Sequence, residues 1–502
     1  MEKKRIFMGL FLVVLLGIGT FFVITQPQLR SVFGLPPKLD EVNTAYKVDV
    51  KVAPHTKSAQ VSMTIHTKND TGKVQDRIYF QVLANKLKDL KPLKGEAWER
   101  YLGDSPLPGG LDFKEVTVNG EKADYSMKDT MMEIPLEENW ELDERIKVEM
   151  TFDVSVPRTD GIFSYNEGNI YFAGWLPTRA IFNDGEWYMS EFIPIGDTSY
   201  NDPANYDVTI TVPKSYQIAS TGSERKDPEI EGRNKTFYVK AEKVREFMMS
   251  VLNRTYEHSN DEINGIKIKS WYTHRTKFGH KIYHYNVKNV LRYFSEKYGE
   301  YPYDEFEIVP GYKTLIGMEF PGLTMVKTEY YGSGAGFFHT TITHEIAHQW
   351  WYGVVGNNTF EDPWLDESLA TYTTMQYMKE EFPYVIDESI DFYLEKTSEF
   401  EELTKEGHSI TSSTKDFMDS NRDKYGPLIY AVATNMFYQL EQEIGVDKMN
   451  EALRDYYQKN KFGQGTREEL IESFKTVIGP EAEEYFSKWL DDKQPVKLAD
   501  IS

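Results

Sequence analysis

The chain has 502 residues, more than one hydrophobic core usually organises, so two or more folded domains are expected. Acidic residues outnumber basic residues by 79 to 57, and the formal net charge of -22 repels phosphate backbones, which argues against nucleic acid as a partner. Cysteine is absent, so no disulfide can form and the cellular compartment cannot be inferred from redox chemistry.

An uncharged apolar segment lies near the N-terminus. Residues 6–25 form a stretch of 20 residues without charge, long enough to cross about 30 Å of hydrocarbon as a helix. Lys3, Lys4 and Arg5 precede it, and cationic residues favour the cytoplasmic side. We therefore predict a single-pass anchor over residues 1–25 in the cell membrane, with a cytoplasmic N-terminus and the rest of the chain outside. A cleaved signal peptide is the alternative, but no small-x-small cleavage pattern follows.

The next part of the chain reads as a linker followed by strands. Residues 26–40 contain three prolines and no periodic apolar pattern, which predicts a stiff linker. Short runs between residues 41 and 257 alternate apolar and polar side chains, as in 46–52 and 206–212. This period of two indicates strands with one buried face. We predict an N-terminal β domain over residues 41–257.

The pattern changes to helical spacing in the last part of the chain, residues 258–502. Apolar residues between 280 and 298 recur at spacings of three and four, which indicates an amphipathic helix. Strand-like segments between 303 and 330 predict a small sheet. Further helices are predicted at 337–352, 364–380, 428–444, 446–459, 467–477 and 480–490. This half is therefore predicted to be a second domain with a sheet first and helices after it.

One predicted helix carries the motif His344-Glu345-Ile-Ala-His348. Residues four apart share one face of a helix, so His344 and His348 can direct two imidazole nitrogens at a single zinc ion. Glu345 lies beside that face, where it can act on a water molecule as a general base without being a ligand. A catalytic zinc needs a third protein ligand, and we predict Glu367, which follows His348 after 18 intervening residues. The motif predicts a zinc metallopeptidase.

A second histidine pair has the same spacing but a different residue between its members. His280 and His284 flank Lys281, which occupies the position that Glu345 has in the motif. A lysine beside the site would repel a dication. We interpret this pair as a solvated helix face rather than as a second metal site.

Three segments together resemble the aminopeptidase N family of gluzincin zinc metallopeptidases. They are Gly-Met-Glu-Phe-Pro-Gly-Leu at 317–323, His-Glu-Ile-Ala-His-Gln-Trp at 344–350 and Trp-Leu-Asp-Glu-Ser-Leu-Ala at 364–370. The resemblance implies a multidomain α+β fold, with an antiparallel, saddle-like β domain before a thermolysin-like catalytic domain. It also implies one zinc ion and peptide substrates. The chain is similar to short, membrane-anchored bacterial members without the C-terminal domains of larger relatives, which implies a more open cleft.

The resemblance implies roles for two further residues near the predicted metal centre. Tyr430, 63 residues beyond Glu367, matches the family's tyrosine whose hydroxyl stabilises the tetrahedral oxyanion. Tyr425 is the alternative for this role. Glu319 matches the glutamate that binds the free α-amine of the substrate.

The segment around Glu319 departs from the family pattern at two positions. Gly317 and Met318 match the strand that contacts the substrate, but Ile316 replaces a glycine and Phe320 replaces an asparagine. The resemblance also implies a second amine-binding residue in the β domain, for which Glu191 is the nearest candidate.

Together these observations predict a zinc metallopeptidase of the aminopeptidase type. Two alternatives stay open: a membrane-bound zinc endopeptidase that does not require a free amine, and a non-catalytic, membrane-tethered peptide-binding module. No obligate protein partner is inferred.

Overall fold

The computed structural model describes residues 42–197, 199–311, 316–327, 335–383, 391, 394–405, 407–418 and 421–501. The predicted anchor over residues 1–25 and the predicted linker over 26–40 lie outside this part of the chain. Within the described ranges, none of the helices combines the length and the apolar character that a bilayer crossing requires.

The strands of the described chain are as follows. They are β1 Thr44–Ala53, β2 Ser58–Lys68, β3 Gln75–Gln81, β4 Gly110–Val118, β5 Glu121–Lys122, β6 Ser126–Lys128, β7 Met131–Trp140, β8 Arg145–Ser155, β9 Ser164–Asn166, β10 Asn169–Phe172, β11 Thr178–Arg179, β12 Phe182–Asn183, β13 Glu186–Trp187, β14 Ala204–Pro213, β15 Gln217–Ser220, β16 Ser223–Glu224, β17 Glu229–Glu231, β18 Asn234–Val244, β19 Met249–Leu252, β20 Tyr256–Ile263, β21 Ile266–Thr273, β22 Glu305–Gly311, β23 Gly317–Met318 and β24 Leu323–Lys327.

The strands of the first half form several sheets. The largest has the order β16-β18-β14-β1-β2-β8-β4-β5, with β17 also paired to β18. Smaller sheets have the orders β15-β19-β10-β9, β11-β3-β7-β6 and β12-β13. Pairing is antiparallel, as predicted, except between β1 and β14, which run parallel. The alternating runs bury one side chain in two, as β8 does, and this burial supplies the apolar core of the β domain.

The second half begins with a five-stranded sheet of order β20-β21-β22-β24-β23. β22 pairs in parallel with both β21 and β24, and β23 is an antiparallel edge strand beside β24. The switch from one set of sheets to the next falls between β19 and β20. The domain division at residue 257 stays a prediction.

The helices of the described chain lie mostly after this sheet. They are α1 Glu96–Leu102, α2 Lys277–Lys297, α3 Ala335–Ala347, α4 Pro363–Glu381, α5 Phe400–Thr404, α6 Arg422–Tyr425, α7 Ala433–Ile444, α8 Val446–Asn460, α9 Arg467–Ile478 and α10 Glu481–Leu490. A π-helical turn, Gly426–Val432, leads from α6 into α7, and short 3-10 turns span Leu83–Leu87, Thr414–Phe417 and Leu498–Asp500. Large aromatic side chains, among them Trp350, Trp364 and Phe437, fill the core between these helices.

Helix α3 ends earlier than its sequence pattern predicts. The pattern continues to residue 352, whereas the regular helix stops at Ala347. Tyr352 adopts a positive φ of 112°, which a helix cannot contain, and Trp351 pairs with Val355 through an isolated β-bridge. The regular helix therefore ends within the metal-binding motif, one residue before His348.

A buried arginine ties the two halves together behind this helix. Arg245, at the end of β18, is 2% exposed and donates hydrogen bonds to the carbonyl oxygens of Asn201 at 2.9 Å and of Tyr352 at 2.8 Å. It also bonds to the carbonyl oxygen of Gly463. These bonds hold the loop after α3 against the β domain.

The interpretation of His280 and His284 as a solvated face is wrong for His280. Its side chain is only 3% exposed and packs on Tyr272, with ring centroids 4.1 Å apart. His284 is half-buried and its Nδ1 contacts the hydroxyl of Ser270 at 2.7 Å. The helix face that we expected to meet water packs against β21 instead, so spacing alone did not reveal its burial.

Candidate metal centre

Three predicted ligand side chains converge at one point. Nε2 of His344 and Nε2 of His348 each lie 3.2 Å from Oε2 of Glu367, and the two nitrogens are 3.0 Å apart. The exposed fractions of the three side chains are 16% or less. His344 lies in the last turn of α3, His348 directly follows the end of that helix, and α4 supplies the carboxylate.

Hydrogen bonds orient both imidazole rings towards that point. Nδ1 of His348 donates to the carbonyl oxygen of Trp351 at 2.9 Å, which leaves Nε2 as the free donor atom for a metal. Nδ1 of His344 lies 3.4 Å from the hydroxyl of Thr371, whose own proton goes to the carbonyl oxygen of Glu367 at 2.7 Å. Because α3 ends at Ala347, the backbone carbonyl of Trp351 can accept this hydrogen bond from His348, a predicted metal ligand.

A second trio of donors also comes within metal-binding distance of one another, namely Glu319, His348 and Asp366. His348 has one free ring nitrogen, however, and this nitrogen lies 3.9 Å from Glu319 but 3.2 Å from Glu367. Asp366 accepts a hydrogen bond from the side chain of Asn357 at 2.9 Å. We therefore assign the centre to His344, His348 and Glu367, whose two nitrogens and one carboxylate match the ligand preference of catalytic zinc.

The predicted general base lies against the edge strand β23. A Cβ atom added to Gly317 would lie 1.9 Å from Oε1 of Glu345, so the carboxylate occupies the space that a side chain would take at that position. Oε2 of Glu345 is buried and has no hydrogen-bond partner among the described residues. Burial, followed by the charges of Glu367 and Asp197, raises the pKa of Glu345 well above its usual value.

Glu319 forms a carboxylate pair with a residue of the β domain, Asp197. Both side chains are buried and share a hydrogen bond. Burial is the largest cause that raises the pKa of each, and the neighbouring carboxylates Glu345 and Glu367 add to the effect for Glu319. Two buried carboxylates side by side form a site whose electrostatics suit a cation.

The two candidate tyrosines lie next to each other, with ring centroids 5.9 Å apart. The hydroxyl of Tyr430 donates a hydrogen bond to Oε1 of Glu367, and its ring centroid is 5.9 Å from that of His344. Tyr425 is 8% exposed, and a Cβ atom added to Gly196 would lie 2.4 Å from its hydroxyl oxygen. Tyr430 therefore reaches a predicted metal ligand, whereas Tyr425 reaches the backbone beside Asp197.

Residues 283–489 match the Peptidase family M1 domain. This region is a peptidase family M1 domain. The resemblance to the aminopeptidase N family is thereby confirmed.

Similar proteins and solved structures agree with the match to the M1 family. The probable aminopeptidase 1 of Saccharolobus solfataricus is 22% identical over 316 residues, which cover 60% of this chain and 40% of the relative. Aminopeptidase N of Lactobacillus delbrueckii subsp. lactis is 25% identical over 166 residues, covering 30% of this chain and 18% of the relative. The chain thus spans less than half the length of either relative.

The crystal structure of an M1 zinc metallopeptidase from Deinococcus radiodurans has a TM-score of 0.67 at 16% identity, over 91% of this chain and 96% of that chain. This likeness confirms the multidomain α+β fold.

The two residues that depart from the family pattern, Phe320 and Ile316, are not part of the metal centre. Phe320 is 2% exposed and packs in a core with Tyr171 and Leu323, while its carbonyl oxygen accepts a hydrogen bond from Gln349 Nε2 at 3.1 Å. Ile316 is 52% exposed. Gln349 therefore holds the backbone after Glu319 against the turn that follows α3, through a bond that does not depend on the side chain at position 320.

The proposed second amine-binding residue, Glu191, is not at the site. It is exposed and forms ion pairs with Lys415 at 2.9 Å and with Lys86 at 3.7 Å. Asp197 occupies the position beside Glu319 instead. No pattern in the sequence marked Asp197, because it lies in a loop of the β domain and only the tertiary fold brings it to the M1 domain. Met318 lies half-buried in β23 beside Glu319.

Proposed function

We propose that this protein is a zinc-dependent aminopeptidase that releases N-terminal residues from peptides. The observation that carries the proposal is the buried pair of Glu319 and Asp197 beside the centre formed by His344, His348 and Glu367. A substrate ammonium group held by this pair would place the first peptide bond at the metal-binding point, whereas a peptide with a blocked amine would lose the charge-assisted bonds.

Similar proteins support the proposal. The matched relatives carry aminopeptidase names. A mutant of the Deinococcus radiodurans metallopeptidase has been crystallised with a Tyr-Ser-Ala substrate, at a TM-score of 0.65 and 15% identity to this chain, covering 91% of this chain and 97% of that chain.

Each residue of the site has a distinct role in the proposed hydrolysis. His344, His348 and Glu367 would hold one zinc ion, which when bound acts as a Lewis acid and lowers the pKa of water. Glu345 takes a proton from the attacking water and gives it to the leaving amine. The Tyr430 hydroxyl donates a hydrogen bond to the developing oxyanion. Gly317 leaves room for Glu345.

Removing one carboxylate of the pair tests the amine-binding role. Asp197→Asn is expected to raise KM for a free-amine peptide by about tenfold or more, because one charge-assisted bond to the ammonium is lost. The same peptide with an acetylated N-terminus is expected to be a poor substrate for both wild-type and variant protein. Steady-state kinetics on the two peptides measure both effects.

Glu191→Gln is the matched control, because Glu191 is exposed and pairs with lysines away from the centre. Its KM should equal that of the wild-type protein. Equal cleavage of the acetylated and free peptides by the wild-type protein would refute the aminopeptidase assignment and support the endopeptidase.

We also propose that residues 1–25 anchor the protein in the cell membrane, with the M1 domain outside the cytoplasm. The support is the uncharged segment 6–25 and the cations Lys3, Lys4 and Arg5 before it. Protease added to intact cells is expected to degrade the region after residue 25, and the protein should sediment with membranes after lysis. Protection of the whole chain until the membrane is disrupted would contradict this orientation.

A further inference from the structure

A cavity of about 720 Å³ lies beside the first strand of the β domain, away from the metal centre. Its wall carries six cationic residues and two acidic ones, although the whole chain has a formal net charge of -22. The cations are Lys68, Arg145, Arg179, Lys243, Arg245 and Lys461, and the acids are Asp70 and Asp202. Such a local reversal of charge attracts anions.

Arg245 contributes a buried charge to this wall. Its hydrogen-bond acceptors are the backbone carbonyl oxygens of Asn201, Tyr352, Val354 and Gly463. No carboxylate forms an ion pair with it among the residues that the structure describes. Burial lowers the pKa of Arg245, as expected for a cation away from water. An anion in the cavity would stabilise this charge.

Arg179 is the second buried cation of the wall. Its side chain is 5% exposed, forms an ion pair with Asp70 and lies over the rings of Trp140 and Trp187, with centroid distances of 5.9 and 5.4 Å. These contacts fix the position of the guanidinium group. Its Nε is buried and has no acceptor within the described chain. One donor of this guanidinium group is therefore left without an acceptor in the described chain.

Two lysines of the wall share one aromatic neighbour. The ammonium groups of Lys243 and Lys461 lie 5.1 and 5.4 Å from the ring centroid of Phe462, so one ring contacts both cations. Lys243 and Phe462 both have positive φ, 55° and 61°, which is uncommon for residues other than glycine. Asn205 stabilises this geometry by accepting a hydrogen bond from the Lys243 amide at 2.8 Å. Backbone conformations of this kind often occur at binding sites.

We propose that this cavity binds a phosphate group carried by a larger organic molecule. A phosphate offers several charged acceptors to arginine and lysine, and arginine binds it with its planar fork of donors. The volume exceeds that of a phosphate group alone. The rings of Tyr46 and Tyr206, stacked 4.7 Å apart, provide a wall for the organic part. A phosphorylated small molecule and a phospholipid headgroup share this chemistry.

Binding of glycerol 3-phosphate to the full-length chain in neutral detergent tests the proposal. Calorimetry is expected to show one saturable site that weakens as the salt concentration rises, with no binding of glycerol. The double variant Lys243→Glu and Lys461→Glu should weaken binding by on the order of tenfold or more, because two attractive charges become repulsive. Both lysines are partly exposed, so the variant is expected to fold.

Lys122→Glu with Lys128→Glu is the matched control, since both lysines are exposed and lie outside the cavity wall. It changes the net charge by the same amount and should bind as the wild-type protein does. Absence of saturable binding to the wild-type protein, or equal binding by the wall variant, would overturn the proposal. Tighter binding of succinate than of glycerol 3-phosphate would overturn the assignment to phosphate.

A competition experiment distinguishes the two sources of the phosphate. Mixed micelles containing phosphatidylglycerol are expected to lower the apparent affinity for glycerol 3-phosphate if a lipid headgroup occupies the cavity, and those containing phosphatidylcholine should not. An unchanged affinity in both micelles identifies a free phosphorylated molecule as the ligand class. Either result supports a phosphate site.

Discussion

Glu345→Gln is expected to lower kcat by roughly 10³-fold while the protein keeps its zinc. Glutamine has nearly the same shape as glutamate but cannot accept a proton from the attacking water. The ligands His344, His348 and Glu367 stay in place, because Glu345 forms no part of their contacts. Steady-state kinetics on a free-amine peptide measure the loss, and elemental mass spectrometry measures the bound zinc.

A second variant, Gly317→Ala, tests Glu345 by changing the residue that packs against its carboxylate. Gly317→Ala would place a Cβ atom 1.9 Å from Oε1 of Glu345, so the carboxylate must move from its present position. We expect a large loss of kcat with zinc still bound and a melting temperature near that of the wild-type protein. Glu345→Gln protein with wild-type turnover would refute the assignment of the base, and zinc-free protein would show that Glu345 holds the metal.

The metal centre was predictable because its geometry is mostly local. His344 and His348 share one helix face, and a helix has a known rise and period. Glu367 requires only that a second helix returns after a loop, and Pro363 in the first turn of α4 marks where that helix begins. Family resemblance then added Glu319 and Tyr430, which the structure brings into the same cluster.

The residues that escaped prediction depend on contacts between distant parts of the chain. Asp197 reaches Glu319 from a loop of the β domain, 122 positions earlier in the sequence. The parallel pairing of β1 with β14 joins Val48 to Val208, and no local pattern distinguishes it from an antiparallel pair. His280 carries a polar side chain, so its burial against Tyr272 follows only from the packing of α2.

Asp197 connects the two halves of the chain in the structure, and in the proposed function it also contributes to substrate binding. The M1 domain contains the three predicted metal ligands, the predicted base and Tyr430, whereas the second carboxylate at the proposed amine site comes from the β domain. Arg245 fixes the β domain to the loop after α3, whose Trp351 carbonyl orients His348. The two halves must therefore pack correctly for substrate to bind in register with the metal.

Tyr430→Phe is expected to lower kcat by about 100-fold with little change in KM. The hydroxyl lies at the predicted ligand Glu367, where it can donate a hydrogen bond to charge that develops in the transition state. Its removal leaves the ring and therefore the packing against His344 and Tyr425. Kinetics on a free-amine peptide separate kcat from KM, and thermal unfolding checks the fold.

Tyr425→Phe is the matched control, because it removes the same hydroxyl from a neighbouring ring 5.9 Å away. The Tyr425 hydroxyl packs against Gly196 and, unlike that of Tyr430, forms no hydrogen bond to a predicted metal ligand among the described residues, so its loss should change kcat by less than about tenfold. The reverse pattern, a large loss in Tyr425→Phe and a small one in Tyr430→Phe, would assign the oxyanion role to Tyr425. Large losses in both would mean that the pair acts together, since the two rings are in contact and their effects need not be additive.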